Sequence, residues 1–110
     1  MDTQKLYRAV SQGEYIDWKS FSIFRTAINT LEAKQFFKSM FAVKDFVFHS
    51  VLQKYTPPYS KILEIEIINT CLENISLHIT ELDRFEAITI NEEDLPDFNK
   101  CVKFVKEYEI

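Results

Sequence analysis

The chain has 110 residues, of which 46% are hydrophobic and 15% aromatic, and its formal net charge is −4 with a pI near 5.2. This length fits one domain spanning residues 1–110, and the apolar content excludes intrinsic disorder. The acidic balance and the lack of a basic block argue against nucleic-acid binding. No apolar run approaches the roughly 20 residues that a membrane span needs.

The first third of the chain predicts a strand, a short helix and a second strand. Lys5–Val10 is short and rich in apolar residues, as expected of a strand. Ser11 and Glu14 then form a capping-box pattern, which predicts a helix ending at about Lys19. Residues 20–28 show no clear period, and residues 31–37 predict a turn followed by a strand.

The middle of the chain predicts a longer helix and a central strand. Ser39 is a good N-cap for a helix from Met40 to about Gln53, whose dense apolar residues require at least one broad buried face. Residues 55–59 contain two prolines and predict an extended loop. Ile62–Ile68 alternates well, so one face of this strand should be buried and the face that carries two glutamates should be wet.

The last third predicts short elements and a closing helix. Residues 69–74 suggest a helical turn, residues 77–79 a short strand, and residues 81–84 a turn before a strand at 85–90. Asn91 and three acidic residues at 92–94 precede a helical stripe, which predicts a C-terminal helix; the stripe consists of Leu95, Phe98, Val102 and Val105. The fold class expected from this order is α+β, with short mixed or antiparallel sheets flanked by about three helices.

The residues with reactive side chains exclude several function classes. Cys71 and Cys101 lie in apolar contexts with no signal peptide before them, which predicts buried, reduced thiols in a cytoplasmic protein. His49 and His78 are isolated in the sequence, so we expect no metal site. The chain has no P-loop, no dinucleotide-binding glycine pattern and no nucleophile elbow.

Arg8 is the most informative residue, because a cation inside an apolar strand needs a partner. One alternative is a structural arginine, either on the wet face or paired with Glu64, Glu66 or Glu86. The other is a clamp for a phosphate, which the planar guanidinium suits.

Three further residues extend the second alternative. Asn29 and Lys34 could widen the polar surface beside Arg8, or could simply be solvated turn residues. Glu86 interrupts an apolar strand and could stabilise an oxocarbenium ion as a glycosidic bond breaks, or could face outward.

Two segments, residues 6–11 and 29–37, resemble a small bacterial group with an ADP-ribosyltransferase-like fold that is often found in polymorphic toxins. The segments read Leu-Tyr-Arg-Ala-Val-Ser and Asn-Thr-Leu-Glu-Ala-Lys-Gln-Phe-Phe, and the family tends to show Asn-Ser-x-Glu-Gly-Lys-x-Phe in the second. The resemblance continues through the helix that contains Ala42 and Phe46, the strand at 62–67 and the segment at 85–88.

This resemblance implies an NAD-binding cleft between the first strand and residues 29–37. Arg8, Asn29 and Lys34 would hold the dinucleotide, Phe36 and Phe37 would flank the nicotinamide, and Glu86 would act in catalysis. Ala33 replaces the family's glycine, and Glu86-Ala87 replaces an Asp-Gly-like turn. The alternative is therefore a catalytically inert domain of the same small α+β fold that binds a protein partner. The sequence does not give the oligomeric state.

Overall fold

An antiparallel sheet of six strands organises the computed structural model, which describes residues 2–25, 34–73, 75, 78–82 and 85–110. Of residues 78–82, 85 and 86 only the backbone is described. The strand order is β4-β5-β2-β1-β3-β6. The strands are β1 (Thr3–Ser11), β2 (Lys34–Phe37), β3 (Tyr59–Ile68), β4 (His78–Leu82), β5 (Phe85–Ile90) and β6 (Val102–Glu109).

Four α-helices lie on the two faces of this sheet in the part of the chain that is described. They are α1 (Gln12–Phe21), α2 (Met40–Leu52), α3 (Asn69–Leu72) and α4 (Leu95–Cys101), the last preceded by a 3-10 turn, Glu92–Asp94. The predicted α+β class is confirmed. None of the helices described is long and apolar enough to cross a membrane.

Both predicted serine caps are confirmed, and they fix where α1 and α2 begin. The Ser11 hydroxyl accepts a hydrogen bond from the Glu14 backbone N–H at 3.3 Å. The Ser39 hydroxyl accepts one from the Ala42 N–H at 3.0 Å. Each cap satisfies a backbone donor that the first turn leaves without an intrahelical partner.

Side-chain alternation along the strands produces two separate hydrophobic cores. The first face packs against α1, α3 and α4; its buried residues include Leu6, Val10, Phe36, Leu63, Ile65, Ile67, Leu72 and Phe98. The second face packs against α2, and its buried residues are Ala9, Phe37, Ala42, Val43, Val47, Ile62 and Ala87. Because neighbouring strand residues point to opposite faces, β1, β2, β3 and β5 each contribute buried side chains to both cores.

Two sequence predictions for the last third of the chain are wrong. The C-terminal helix ends at Cys101, and the residues that follow form the edge strand β6, which pairs antiparallel with β3. Val102 and Val105 continue the spacing of the α4 stripe, but these β-branched residues pack well on a sheet. The turn predicted at 81–84 is wrong for Glu81 and Leu82, which belong to β4, and residues 83–84 lie outside the described residues.

The prediction of reduced thiols is wrong as well. Cys71 in α3 and Cys101 at the end of α4 form a disulfide, with their Cα atoms 5.5 Å apart. This bond ties two short helices together on the first face of the sheet. It also removes the argument that led from reduced thiols to the cytoplasm, because disulfides persist mainly in oxidising compartments.

Candidate functional site

Arg8 lies at the centre of β1, on the first face of the sheet, where α1 crosses it. Its guanidinium donates two hydrogen bonds to the Glu14 carboxylate, from Nε to Oε2 and from Nη2 to Oε1, both at 2.7 Å. Nη1 donates to the backbone carbonyl of Gln35 at 3.0 Å. The carboxylate partner is Glu14 and not Glu64 or Glu66, while the side chain of Glu86, the third glutamate considered from the sequence, is not described.

Lys34 completes this group, which we call the Arg8 cluster (Arg8, Glu14 and Lys34). Its ammonium lies 3.5 Å from Glu14 Oε1, and only 4% of its side chain is exposed. The side chains of Arg8 and Glu14 are 15% and 20% exposed. Lys34 is therefore a buried residue of β2 and not a solvated turn residue, and it lies with Arg8 around one carboxylate.

Burial and ion pairing have opposite effects on the pKa of Glu14. Burial alone would raise the pKa of Glu14. The hydrogen bonds and positive charge of Arg8, together with the charge of Lys34, outweigh that effect, and the pKa is lowered from its ordinary value of 4.5. Glu14 is therefore ionised at neutral pH, and the cluster contains two cations and one anion.

Phe36 and Phe37 are not brought together. Phe36 is fully buried in the first core, where the Arg8 guanidinium lies 5.7 Å from its ring centroid. Phe37 is buried in the second core on the opposite face of the sheet and packs against Phe46 at 5.0 Å. The described arrangement therefore places the two rings on opposite sides of β2.

The remaining predicted site residues are only partly described. Asn29 lies outside the described residues. The backbone of Glu86 belongs to β5 and pairs with Glu81, whereas its side chain is not described. Their roles stay predictions.

Two cavities border α4, and Arg8 lines neither of them. The larger, about 440 Å³, is lined mainly by apolar side chains of residues 23–24 and 95–96, with Arg25 and Lys100 at its edge. One wall is fixed by Asn99, whose side-chain amide accepts from the Phe24 N–H at 2.7 Å and donates to the Phe24 carbonyl at 2.8 Å. The smaller, about 210 Å³, borders the disulfide.

A second candidate site is the outward side of α2. Here the large apolar side chains of α2 are 59–72% exposed, and we call this surface the α2 outer face; it comprises Phe41, Lys44, Phe48, Val51 and Leu52, and Tyr55 follows just beyond the end of the helix. The opposite side of α2 is buried in the second core through Ala42, Val43 and Val47. The helix is thus apolar on both sides, although only one side packs against the sheet.

The density of apolar residues in α2 predicts at least one broad buried face, which the structure confirms, but this prediction does not say which apolar residues stay exposed. The apolar residues of α2 are too dense for a single buried stripe, because a surface helix normally alternates an apolar face with a polar one. Contiguous exposed apolar surface on a small domain usually marks an interaction site.

Comparison with protein-family models, with curated proteins and with solved structures returned no match for this chain.

Proposed function

We propose that this chain is a protein-interaction domain that binds its partner through the α2 outer face. The observation that carries the proposal is the exposure of Phe41, Phe48, Val51 and Leu52 along one side of a helix whose other side is already packed. Most of the surface of these four side chains faces solvent and is not used in packing against the sheet. Each of these side chains lowers the solubility of the domain while it is exposed to water.

The energetics favour a protein-sized partner. Apolar surface removed from water contributes roughly 25 cal/mol per Å², and aromatic side chains are enriched at the centres of interfaces. Phe48 lies in the middle of the α2 outer face, flanked by Val51 and Leu52 one helical turn later. It is therefore the expected anchor of the interface.

A photo-crosslinking experiment tests this proposal. The photoreactive amino acid benzoyl-phenylalanine replaces Leu52, and proteins joined to it on irradiation in the native cells are identified by mass spectrometry. We expect a defined adduct that is lost when Phe48→Asp is added. Phe104→Asp is the matched control, because Phe104 is 61% exposed but lies on β6.

Both aspartate variants are first shown to melt at the wild-type temperature, so that loss of the adduct reports on the surface alone. An adduct that survives Phe48→Asp, or that is lost equally in Phe104→Asp, contradicts the proposal.

NAD binding at the Arg8 cluster is the second candidate function. It is supported by the position of Arg8 and Lys34, two cations that lie around the same carboxylate. A phosphate could take the place of the Glu14 carboxylate, because the guanidinium fork accepts either group in the same geometry. We rank it second because Arg8 already makes three hydrogen bonds within the protein.

Thermal melting with NAD tests this second candidate. A ligand that binds the folded state raises the melting temperature, and the response should be lost in Arg8→Lys, which keeps the charge but not the fork. A flat response at millimolar NAD excludes dinucleotide binding. The resemblance to ADP-ribosyltransferases, a catalytic role for Glu86 and a cytoplasmic location likewise stay predictions.

A further inference from the structure

We infer that the segment bound by the α2 outer face is an amphipathic helix whose apolar stripe is flanked by acidic side chains. The inference rests on the proposed function and specifies the chemistry of the partner. It follows from the spacing of the exposed apolar residues and from the charges that lie among them.

The spacing of the apolar side chains indicates a helical partner. Phe41 and Phe48 lie seven residues apart on α2, and Val51 and Leu52 lie three and four residues after Phe48. This is the spacing by which one helix presents a straight seam to another. The thirteen residues of α2 give a seam of about 20 Å, since a helix rises 1.5 Å per residue.

The end of the seam is held in place by contacts within the domain. The Tyr55 ring stacks on Tyr59 of β3, with ring centroids 5.6 Å apart and an interplanar angle of 11°. The Tyr55 backbone N–H donates to the Ser50 carbonyl at 2.9 Å. These contacts fix the chain just after α2, so that this end of the surface needs less ordering when a partner helix binds.

The charges on this surface are basic although the chain as a whole is acidic. Lys44 lies inside the seam and Lys54 lies at its end, and both are exposed. Asp45 is the acidic residue of α2, and its carboxylate lies 3.4 Å from His49 Nε2 on the same helix. Acidic side chains beside the partner's apolar stripe would pair with the two lysines and orient the two helices.

The same charges argue against two other occupants. A second copy of this chain would bring both Lys44 ammonium groups into one apolar interface, where burying an uncompensated charge is costly. Attachment to an anionic membrane usually requires four to eight clustered basic residues, whereas this chain carries a net charge of −4.

Calorimetric titration of the full chain with two synthetic helical peptides tests the inference. The peptides share one leucine stripe, and they differ in having glutamates or lysines beside it. We expect the glutamate peptide to bind at least about tenfold more tightly than the lysine peptide, and its affinity to fall as salt is raised. The double variant Lys44→Glu/Lys54→Glu should reverse this order, Phe48→Asp should abolish binding, and Phe104→Asp should leave it unchanged.

Equal affinity for the two peptides, preference for the lysine peptide, or binding of neither would overturn the inference. So would dimerisation of the chain in sedimentation experiments, or binding to phosphatidylserine vesicles, where either is abolished by Phe48→Asp. The proposed function is tested separately by the crosslinking experiment. It stands after any of these results if formation of the adduct depends on Phe48, and it is contradicted if formation of the adduct does not depend on Phe48.

Discussion

Glu14 holds Arg8 in a two-point ion pair, with both N–O distances 2.7 Å, across the junction between the first strand and the first helix. Ser11, the N-cap residue, lies between the two in sequence, and its hydroxyl positions the first turn that carries Glu14. The pair therefore anchors α1 to the sheet as well as neutralising a strand cation. The contribution of this ion pair to the free energy of unfolding can be measured directly.

We expect Glu14→Gln to destabilise the fold by about 2–4 kcal/mol, because Arg8 and Lys34 would remain largely buried without their counter-charge. Chemical denaturation measures this change. Asp17→Asn is the control: it breaks the more exposed pair between Asp17 and Arg25 and should cost less than about 1 kcal/mol. Equal losses in the two variants would show that Arg8 does not depend on Glu14.

The lowered pKa of Glu14 predicts how stability depends on pH. The folded state favours the ionised carboxylate, so its stabilising effect is fully present above the ordinary pKa of 4.5 and is lost as the pH falls through the lowered pKa of the folded state. The free energies of unfolding of the wild type and Glu14→Gln, measured by denaturation at several pH values, should therefore converge as the pH falls from neutral to acidic. A constant difference between the two curves would contradict the lowered pKa.

Opening the disulfide should cost about 3–4 kcal/mol, because the bond closes a loop with a sequence separation of 30 residues. Denaturation with and without reductant measures the loss, and Cys71→Ser/Cys101→Ser should match the reduced wild type. Thiol titration of the unreduced, denatured chain should detect no free thiol. Two titratable thiols would show that the bond does not form in solution.

The Tyr59 hydroxyl should lose its proton at a higher pH than an ordinary tyrosine does. Burial, followed by the nearby Tyr55, raises its pKa to about 12. Because the folded state holds this proton more tightly, the associated stability is present below pH 10.0, the ordinary value, and is lost as the pH rises towards 12. Tyrosinate absorbance should show a late step that Tyr59→Phe removes and that Tyr55→Phe shifts to lower pH.

Two phenylalanines separate core packing from surface recognition. Phe36→Ala should destabilise the fold by about 3–5 kcal/mol, since Phe36 is fully buried. Phe48→Ala should change stability by no more than about 0.5 kcal/mol, since 59% of Phe48 is exposed. Thermal or chemical denaturation of both variants decides this, and a large loss in Phe48→Ala would mean that the α2 outer face serves the fold.

Local sequence signals predicted most of the elements. Ser11 and Ser39 began the two longer helices as expected, and the alternation in Ile62–Ile68 correctly assigned Leu63, Ile65 and Ile67 to the core. These predictions succeeded because capping and strand alternation depend on neighbouring residues.

Features that depend on distant residues were not predicted. Val102 became part of a strand because β3 offered an edge to pair with, which a helical spacing could not reveal. The disulfide and the pairing of Arg8 with Glu14 are likewise set by tertiary contacts. The exposure of Phe48 was not predicted. A high density of apolar residues shows that a helix is hydrophobic, but it does not show which side of the helix packs against the sheet.

One side of α2 packs against the sheet and the other faces solvent, and this difference has an evolutionary consequence. Val43 and Val47 attach the helix to the sheet, while Phe48 and Val51 point away from it. Substitutions on the outward side should leave this attachment intact, so a binding surface of the kind we propose could change its preference at little cost to folding. Relatives with the same sheet and a rewritten outward side would then be specific for different targets.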